Sequence, residues 1–397
     1  MTGHRRSSGF TLVEMLIAVA MLSAVMAAAM GMVIGMNAST RHVRIVGDAQ
    51  TAARSGVEEL AAEIRAAGGG VSTGQIGIDP GGGTPRRLPV IYSGPNVTIT
   101  EPAGQTIVTN SIFIITADAR YTAVDLTDAN NRQGVGMMGI VTAASTGVPL
   151  TIVCADASGA SVNCKNDLIP SPQLPPLIIG DFRNAAYVVP TSLGDPAPTT
   201  QQLAYVSSAN FAPNPKAPFG FDVNSTILRA RVTHWYLRQA TATDTPQLVR
   251  SFPTLSTIAL PAACSPGDLP FLDETNALGG AVGTVMGTAP VDSLQIRFIT
   301  DPTAANQPAA FTMVNSISVC DTTVPATLRE VRLQVVARTS SGDLQGSSTS
   351  VKRVLYATPG FEGTTPAAGG GGVTQDSYPR RAFNLSAVPR NLQGYRL

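Results

Sequence analysis

Charge is scarce in this chain of 397 residues: Asp, Glu, Lys and Arg make up 13% of it, and the formal net charge is +1. That supply cannot furnish the basic stripe that grips a phosphate backbone, so nucleic acid is not expected as a main partner. Lysine stands only at Lys165, Lys216 and Lys352, and no function attaches to its rarity. There are three histidines, His4, His42 and His234, the first ahead of the apolar N-terminal run, the second on a helix and the third in a strand. The one Gly-x-Ser-x-Gly spacing, Gly70-Val71-Ser72-Thr73-Gly74, follows a helical stretch rather than a strand and so is not a nucleophile elbow, and no phosphate loop occurs. Catalysis therefore has no motif to rest on, no cofactor is implied, and His234 reads as a strand histidine rather than a base.

Cysteine is also sparse, and Cys154, Cys164, Cys264 and Cys320 have no C-x-x-C spacing that would point to metal or redox chemistry. All four follow the apolar run, and in an oxidising compartment they should form disulfides. Of the three pairings, the simplest joins Cys154 to Cys164 across a short polar loop and Cys264 to Cys320 between neighbouring strands. One polar cluster, Asp125-Leu126-Thr127-Asp128-Ala129-Asn130-Asn131, offers calcium the oxygens of Asp125, Asp128 and Asn130. It lacks an acidic residue at the twelfth position and so misses the EF-hand spacing. A turn built from Asp and Asn is the ordinary explanation.

What the sequence does have is a long apolar run. From Met15 to Met36 the only polar side chain among 22 residues is Ser23, and no further charge follows until Arg41. A helix crosses a bilayer in ~20 residues, so this run can span one. His4, Arg5 and Arg6 precede it, which predicts a cytoplasmic N-terminus and a head across the membrane. A secretory signal would carry its cleavage site after the apolar core. Here a cleavage-like Gly9-Phe10 junction comes before it.

The run Gly9-Phe10-Thr11-Leu12-Val13-Glu14 resembles the signature that type IV prepilins and type II secretion pseudopilins present to prepilin peptidase. The resemblance implies a leader over 1–9, cleavage after Gly9, N-methylation of Phe10, and an apolar helix that stays on the mature protein. A carboxylate in an apolar helix is costly unless something offsets it. The resemblance implies that Glu14 meets the Phe10 amine of a neighbouring subunit, which neutralises both charges and sets the axial register in a filament. The plainer alternative is a carboxylate reaching lipid headgroups.

Beyond the membrane segment, 10–36, the helical period continues over 37–67 through Val46, Gln50, Ala53, Val57, Leu60 and Ile64. Arg41, Arg44, Asp48, Arg54, Glu58, Glu59, Glu63 and Arg65 border that stripe, and Gly68-Gly69-Gly70 ends it. Gly31 and Gly35 form a small-xxx-small pair, read equally as a packing device or as the ordinary glycine content of membrane helices. The remainder, 68–397, opens on an excursion from Val71 to Pro89 rich in Gly, Pro and Thr. Strand-like runs follow at Leu88–Tyr92, Thr106–Thr116, Gly139–Ala143, Leu150–Cys154, Ala185–Val189 and Leu203–Val206. Clearer alternation marks 228–236, 294–298 and 331–338, predicting half-buried antiparallel strands. The expected fold is α+β and pilin-like: a long membrane-spanning and then amphipathic helix packed on a large antiparallel β-sheet head. Proline-rich connections place a boundary between two lobes near 190–220, and a Gly/Thr-rich connector covers 360–376.

Looser stretches refine the resemblance. Leu60-Ala61-Ala62-Glu63-Ile64-Arg65-Ala66-Ala67-Gly68 looks like the helix end of PilW-type minor pilins. Trp235-Tyr236-Leu237 with Leu248-Val249-Arg250 resembles a strand pair of theirs, Val291 to Phe298 a late strand, and Arg380-Arg381-Ala382-Phe383 with Arg390-Asn391 their C-terminal end. The implied role is a minor pilin that primes or caps a type IV pilus, held in the inner membrane with a periplasmic head and later at the pilus tip. The implied partners are other minor pilins, the major pilin, prepilin peptidase, the inner-membrane assembly platform and a tip adhesin. The alternatives are a J-type minor pseudopilin of a type II secretion system and a membrane-anchored periplasmic binding protein.

Overall fold

The computed structural model of the chain describes residues 11–69, 71, 74–78, 86–100, 106–117, 138–141, 149–155, 161–165, 169, 174–180, 185–194, 200–205, 225–241, 244–255, 265, 270–272, 284–286, 290–300, 311–321, 328–338 and 380–389. One helix runs without a break over Leu12–Ala66, 55 residues. Its first half exposes apolar side chains all round, from Leu12 and Val13 to Ile34 and Met36. Its second half buries Ala53, Val57, Leu60, Ala61 and Ile64, the expected stripe. The helix stops where Gly68 turns to a φ of 71°, a left-handed conformation that glycine adopts without a Cβ penalty. The Gly68 N–H then donates to the Ile115 carbonyl at 3.0 Å, tying the helix end to the head.

The head is built around the strand Thr226–Arg238. Its first residues pair antiparallel with Met138–Val141 on one side and Leu177–Gly180 on the other. Its later residues pair with Ile112–Ala117 and Gln247–Ser251. One strand thus serves two halves of a 14-stranded sheet, whose main path runs from Pro190–Leu193 at one edge to Arg86–Pro89 at the other. A separate four-stranded sheet follows the order Thr312–Val314, Val291–Thr300, Leu328–Arg338, Arg380–Ala387. The helix end joins one apolar core with both sheets, since Leu60 and Ile64 cluster with Ile112, Ile114, Trp235, Leu333 and Val335. A second, smaller core gathers Leu150, Ile152, Cys154, Cys164, Leu177, Leu203 and Ile227.

The α+β arrangement of helix and β-rich head is the one read from the sequence, with four differences. The excursion Val71–Pro89 contains strands, Gln75–Ile78 and Arg86–Pro89. Gln75–Ile78 pairs parallel with Ala185–Val188, so the large sheet is not wholly antiparallel. Thr226–Arg238 and Val291–Thr300 are buried on both faces rather than half-buried; in the former, Trp235 meets Glu63 of the helix while His234 and Tyr236 pack into an aromatic stack on the other side, and in the latter Ser293 and Arg297 are buried as well as Leu294 and Ile296. Glu63, read as a border residue, is buried. Most of the interval 190–220, where the lobe boundary was expected, lies outside the described residues, and Thr226–Arg238 pairs with three strands that precede it. The connector 360–376 lies outside the described residues.

Candidate functional site: the two ends of the N-terminal helix

At its start the helix carries a capping box. Thr11 Oγ1 accepts from the Glu14 backbone N–H at 3.3 Å, and the Glu14 carboxylate accepts from the Thr11 backbone N–H at 2.9 Å and from the Thr11 hydroxyl at 3.0 Å. Both partners satisfy donors that a helix end leaves open. The Glu14 carboxylate is thereby aimed back at the N-terminal side of the helix, in an otherwise apolar, exposed surface. Gly9 and Phe10 lie outside the described residues. Gly31 and Gly35 have nothing within 4 Å of a Cβ position, so within this chain no neighbour presses on them.

At its other end the helix meets a polar clasp. A helix turns ~100° per residue, so Glu63 stands ~60° from Leu60, on the flank of the apolar stripe. There it is 5% exposed and accepts from the indole Nε1–H of the fully buried Trp235 at 2.5 Å. Its other carboxylate oxygen receives Arg250 Nη1 at 3.3 Å and Arg231 Nη2 at 3.6 Å. Arg250 also pairs with Glu59, one turn earlier. Strand register explains the convergence: Trp235 lies directly opposite Arg250, and Arg231 shares the face of Trp235 at period two. The Arg250 guanidinium lies 5.8 Å from the Trp235 ring and 5.2 Å from that of Phe252, within cation–π reach. Thr116 on the same sheet face adds a hydroxyl donor to the Ala66 carbonyl at 2.8 Å.

Behind the clasp, Tyr92, Phe113, His234 and Tyr236 stack in series, with centroids 5.0, 4.0 and 4.6 Å apart. Gly94 is required beside the stack, since a Cβ there would fall 2.3 Å from Ser111 Oγ and 2.9 Å from the Phe113 ring. Burial holds the Tyr92 hydroxyl well above the ordinary phenol range, with Tyr187 adding to the effect, and burial raises Tyr187 likewise. His234 is therefore a packed strand histidine. Cys154 and Cys164 are disulfide-bonded. Cys320 is disulfide-bonded as well, while Cys264 lies outside the described residues. Asp125, Asp128 and Asn130 also lie outside them. Among the described residues no three His, Cys, Asp or Glu side chains come together as metal ligands.

The family described as the prokaryotic N-terminal methylation motif matches residues 4–30. The chain carries that methylation motif. The matched segment ends within the apolar stretch Leu12–Arg41, which is long and apolar enough to cross a membrane, so the methylation-motif helix is also a membrane-anchoring candidate. Among solved structures the chain is similar to the type IV-like pilin TTHA1219 from Thermus thermophilus, at 9% identity and a TM-score of 0.30, over 87% of this chain and 98% of that one. No curated protein matches the chain.

The clasp is what reading the sequence missed. Glu63, Trp235 and Arg250 each stood in a stretch singled out there, yet nothing in one dimension placed them in contact. A carboxylate ~60° from the centre of an apolar stripe was the available signal.

Proposed function

We propose that the protein is a PilW-like minor pilin, cut after Gly9, methylated on Phe10, and active by assembling into a type IV pilus rather than by catalysis. The single observation that carries this is the joining of the methylation motif at 4–30 to an unbroken helix whose first half is apolar on every side. Such a surface needs lipid before assembly and neighbouring helices after it. A single chain leaves it bare.

On this reading the leader stays cytoplasmic, the head is periplasmic, and Glu14 exchanges its bonds with Thr11 for the amine of a neighbouring Phe10 during assembly. The bulk of the head suits a site at a fibre end, where one copy need not fit a repeating lattice. The partners are other minor pilins, the major pilin, prepilin peptidase and the assembly platform, with a tip adhesin as a further candidate. The head is read as two lobes with a boundary near 190–220.

A clean deletion in the source bacterium, scored for sheared surface pili and for secreted proteins beside a complemented strain, tests the reading. Loss of pili with normal secretion is expected. Loss of secretion with normal pili would assign the chain to a type II secretion system instead, and no change in either would leave an anchored binding protein.

A further inference from the structure

The helix stripe Ala53, Val57, Leu60, Ile64 is nearly periodic, so sliding the helix along the head by one turn replaces apolar by apolar at most positions. An apolar stripe therefore does not fix its own axial position. Two features on its flank do. A Cβ on Gly56 would stand 3.1 Å from Leu248 Cδ2 and 3.2 Å from the Met286 carbonyl oxygen. That carbonyl belongs to a residue whose N–H donates to Leu248 O at 2.8 Å, so it cannot easily retreat. The second feature is the buried Glu63 carboxylate beneath Trp235, Arg231 and Arg250.

We infer that Gly56 and Glu63 form a two-point register key that fixes where the head sits along the helix. Consider the two one-turn slips. In one, Ala67 takes the place of Glu63 and Leu60 that of Gly56; the arginines lose their carboxylate and a leucine meets the Met286 carbonyl. In the other, Glu59 takes the place of Glu63, so the arginines keep a carboxylate. On the flank of the stripe the close approach at Gly56 alone opposes this second slip, because an alanine, Ala52, would come to stand there; at the helix end the slip would also break the bonds of Gly68 N–H to Ile115 and of Thr116 to Ala66. On the flank neither point suffices alone, and together they oppose both slips. Buried polar groups that set register are the best-attested use of such groups.

The key's consequence rests on the pilin reading. Glu14 would set the helix in the assembly and Glu63 sets the head on the helix, roughly 74 Å away at ~1.5 Å per residue. A slip displaces the head by ~5.4 Å relative to Glu14.

The test uses the full chain in detergent, spin-labelled at Arg41→Cys on the exposed helix and at Thr284→Cys on the head, with the distance between labels measured by pulsed electron resonance. The parent pair should give one distance. Gly56→Ala with Glu63→Ala removes both points and leaves Glu59 to occupy the carboxylate site, so the distance should shorten by about 5 Å. A cooperative thermal transition by circular dichroism verifies folding, since Trp235 emission itself responds to the loss of Glu63. An unchanged single distance in the folded double variant overturns the key. Should the double variant not fold, Gly56→Ala alone decides: a second, shorter distance supports the key, and one unchanged distance overturns it. These distances are read on the isolated chain, so they stand whether or not it enters a pilus.

Discussion

At the scale of single residues, the head depends on groups whose neighbours leave them no alternative. Glu63 is the clearest, because its removal leaves Arg231 and the Trp235 indole facing a vacancy in a buried site and Arg250 with Glu59 alone. Breaking a buried ion pair costs about 3–5 kcal/mol. Glu63→Ala should lose about that much in urea unfolding followed by Trp235 fluorescence, and Glu63→Gln clearly less because it keeps an acceptor for the indole. Gly94→Ala should lose about 1–3 kcal/mol from overpacking against Ser111 and Phe113. The buried phenols of Tyr92 and Tyr187 give a pH dependence whose sign follows from their raised values. A phenol that resists ionisation in the fold ionises near 10 when unfolded, so its contribution is complete below pH ~10 and is lost progressively above it. Phenolate absorbance during an alkaline titration should therefore show these two groups ionising together with unfolding. Their titration near pH 10 in a still-folded chain would contradict the burial assigned to them.

At the scale of elements, the N-terminal helix and about half of the strands were legible in the sequence, because each rests on a local period, whereas Val97–Thr100, Leu177–Gly180, Pro190–Leu193 and Arg380–Ala387 were not. The helix stripe at steps of three and four emerged as Ala53, Val57, Leu60 and Ile64 facing the core, and Leu294, Ile296 and Phe298 emerged buried in Val291–Thr300, although the opposite face with Ser293 and Arg297 is buried too. What was not legible came from pairing across long separations. Gln75–Ile78 is a strand amid glycines because Ala185–Val188, more than a hundred residues on, offers it a parallel edge. Arg229 and Thr233 looked solvent-facing by alternation and are buried because a second layer covers that face. Glu63 belongs to the same class of miss, since its partners lie 168 residues or more downstream in the chain. The hairpin closed by Cys154 and Cys164 tests an element directly. Those cysteines sit in the smaller core with Leu150, Ile152 and Leu203, and the Cys164 N–H donates to the buried Gln201 side chain at 2.7 Å. Cys154→Ser with Cys164→Ser should lower stability by about 2–4 kcal/mol. A thermal melt unaffected by that pair of changes would remove the disulfide from the determinants of the fold.

At the scale of the whole molecule, the chain has two surfaces with opposite requirements. The helix exposes Met15, Leu16, Val19, Met21, Leu22 and Ile34, while among the described residues of the head most apolar side chains are buried and those exposed, such as Val108, Phe252 and Phe311, are scattered along the chain. A chain lacking residues 1–36 should therefore remain monomeric in water by light scattering, whereas the full chain should require detergent. Aggregation of the shortened chain would mean that the head itself carries an uncovered apolar face.

The pairing of Glu63 with Trp235 also imposes a timetable on synthesis. The two are separated by 172 residues, and a ribosome adds ~5–20 residues per second, so the helix is finished roughly 9 to 34 s before its clasp exists. Throughout that interval Ala53, Val57, Leu60 and Ile64 have no sheet to lie against, and the strands before residue 226 wait for the one that joins them. The nascent chain therefore needs a shelter for its helix, which a bilayer or a chaperone can provide and free solution cannot.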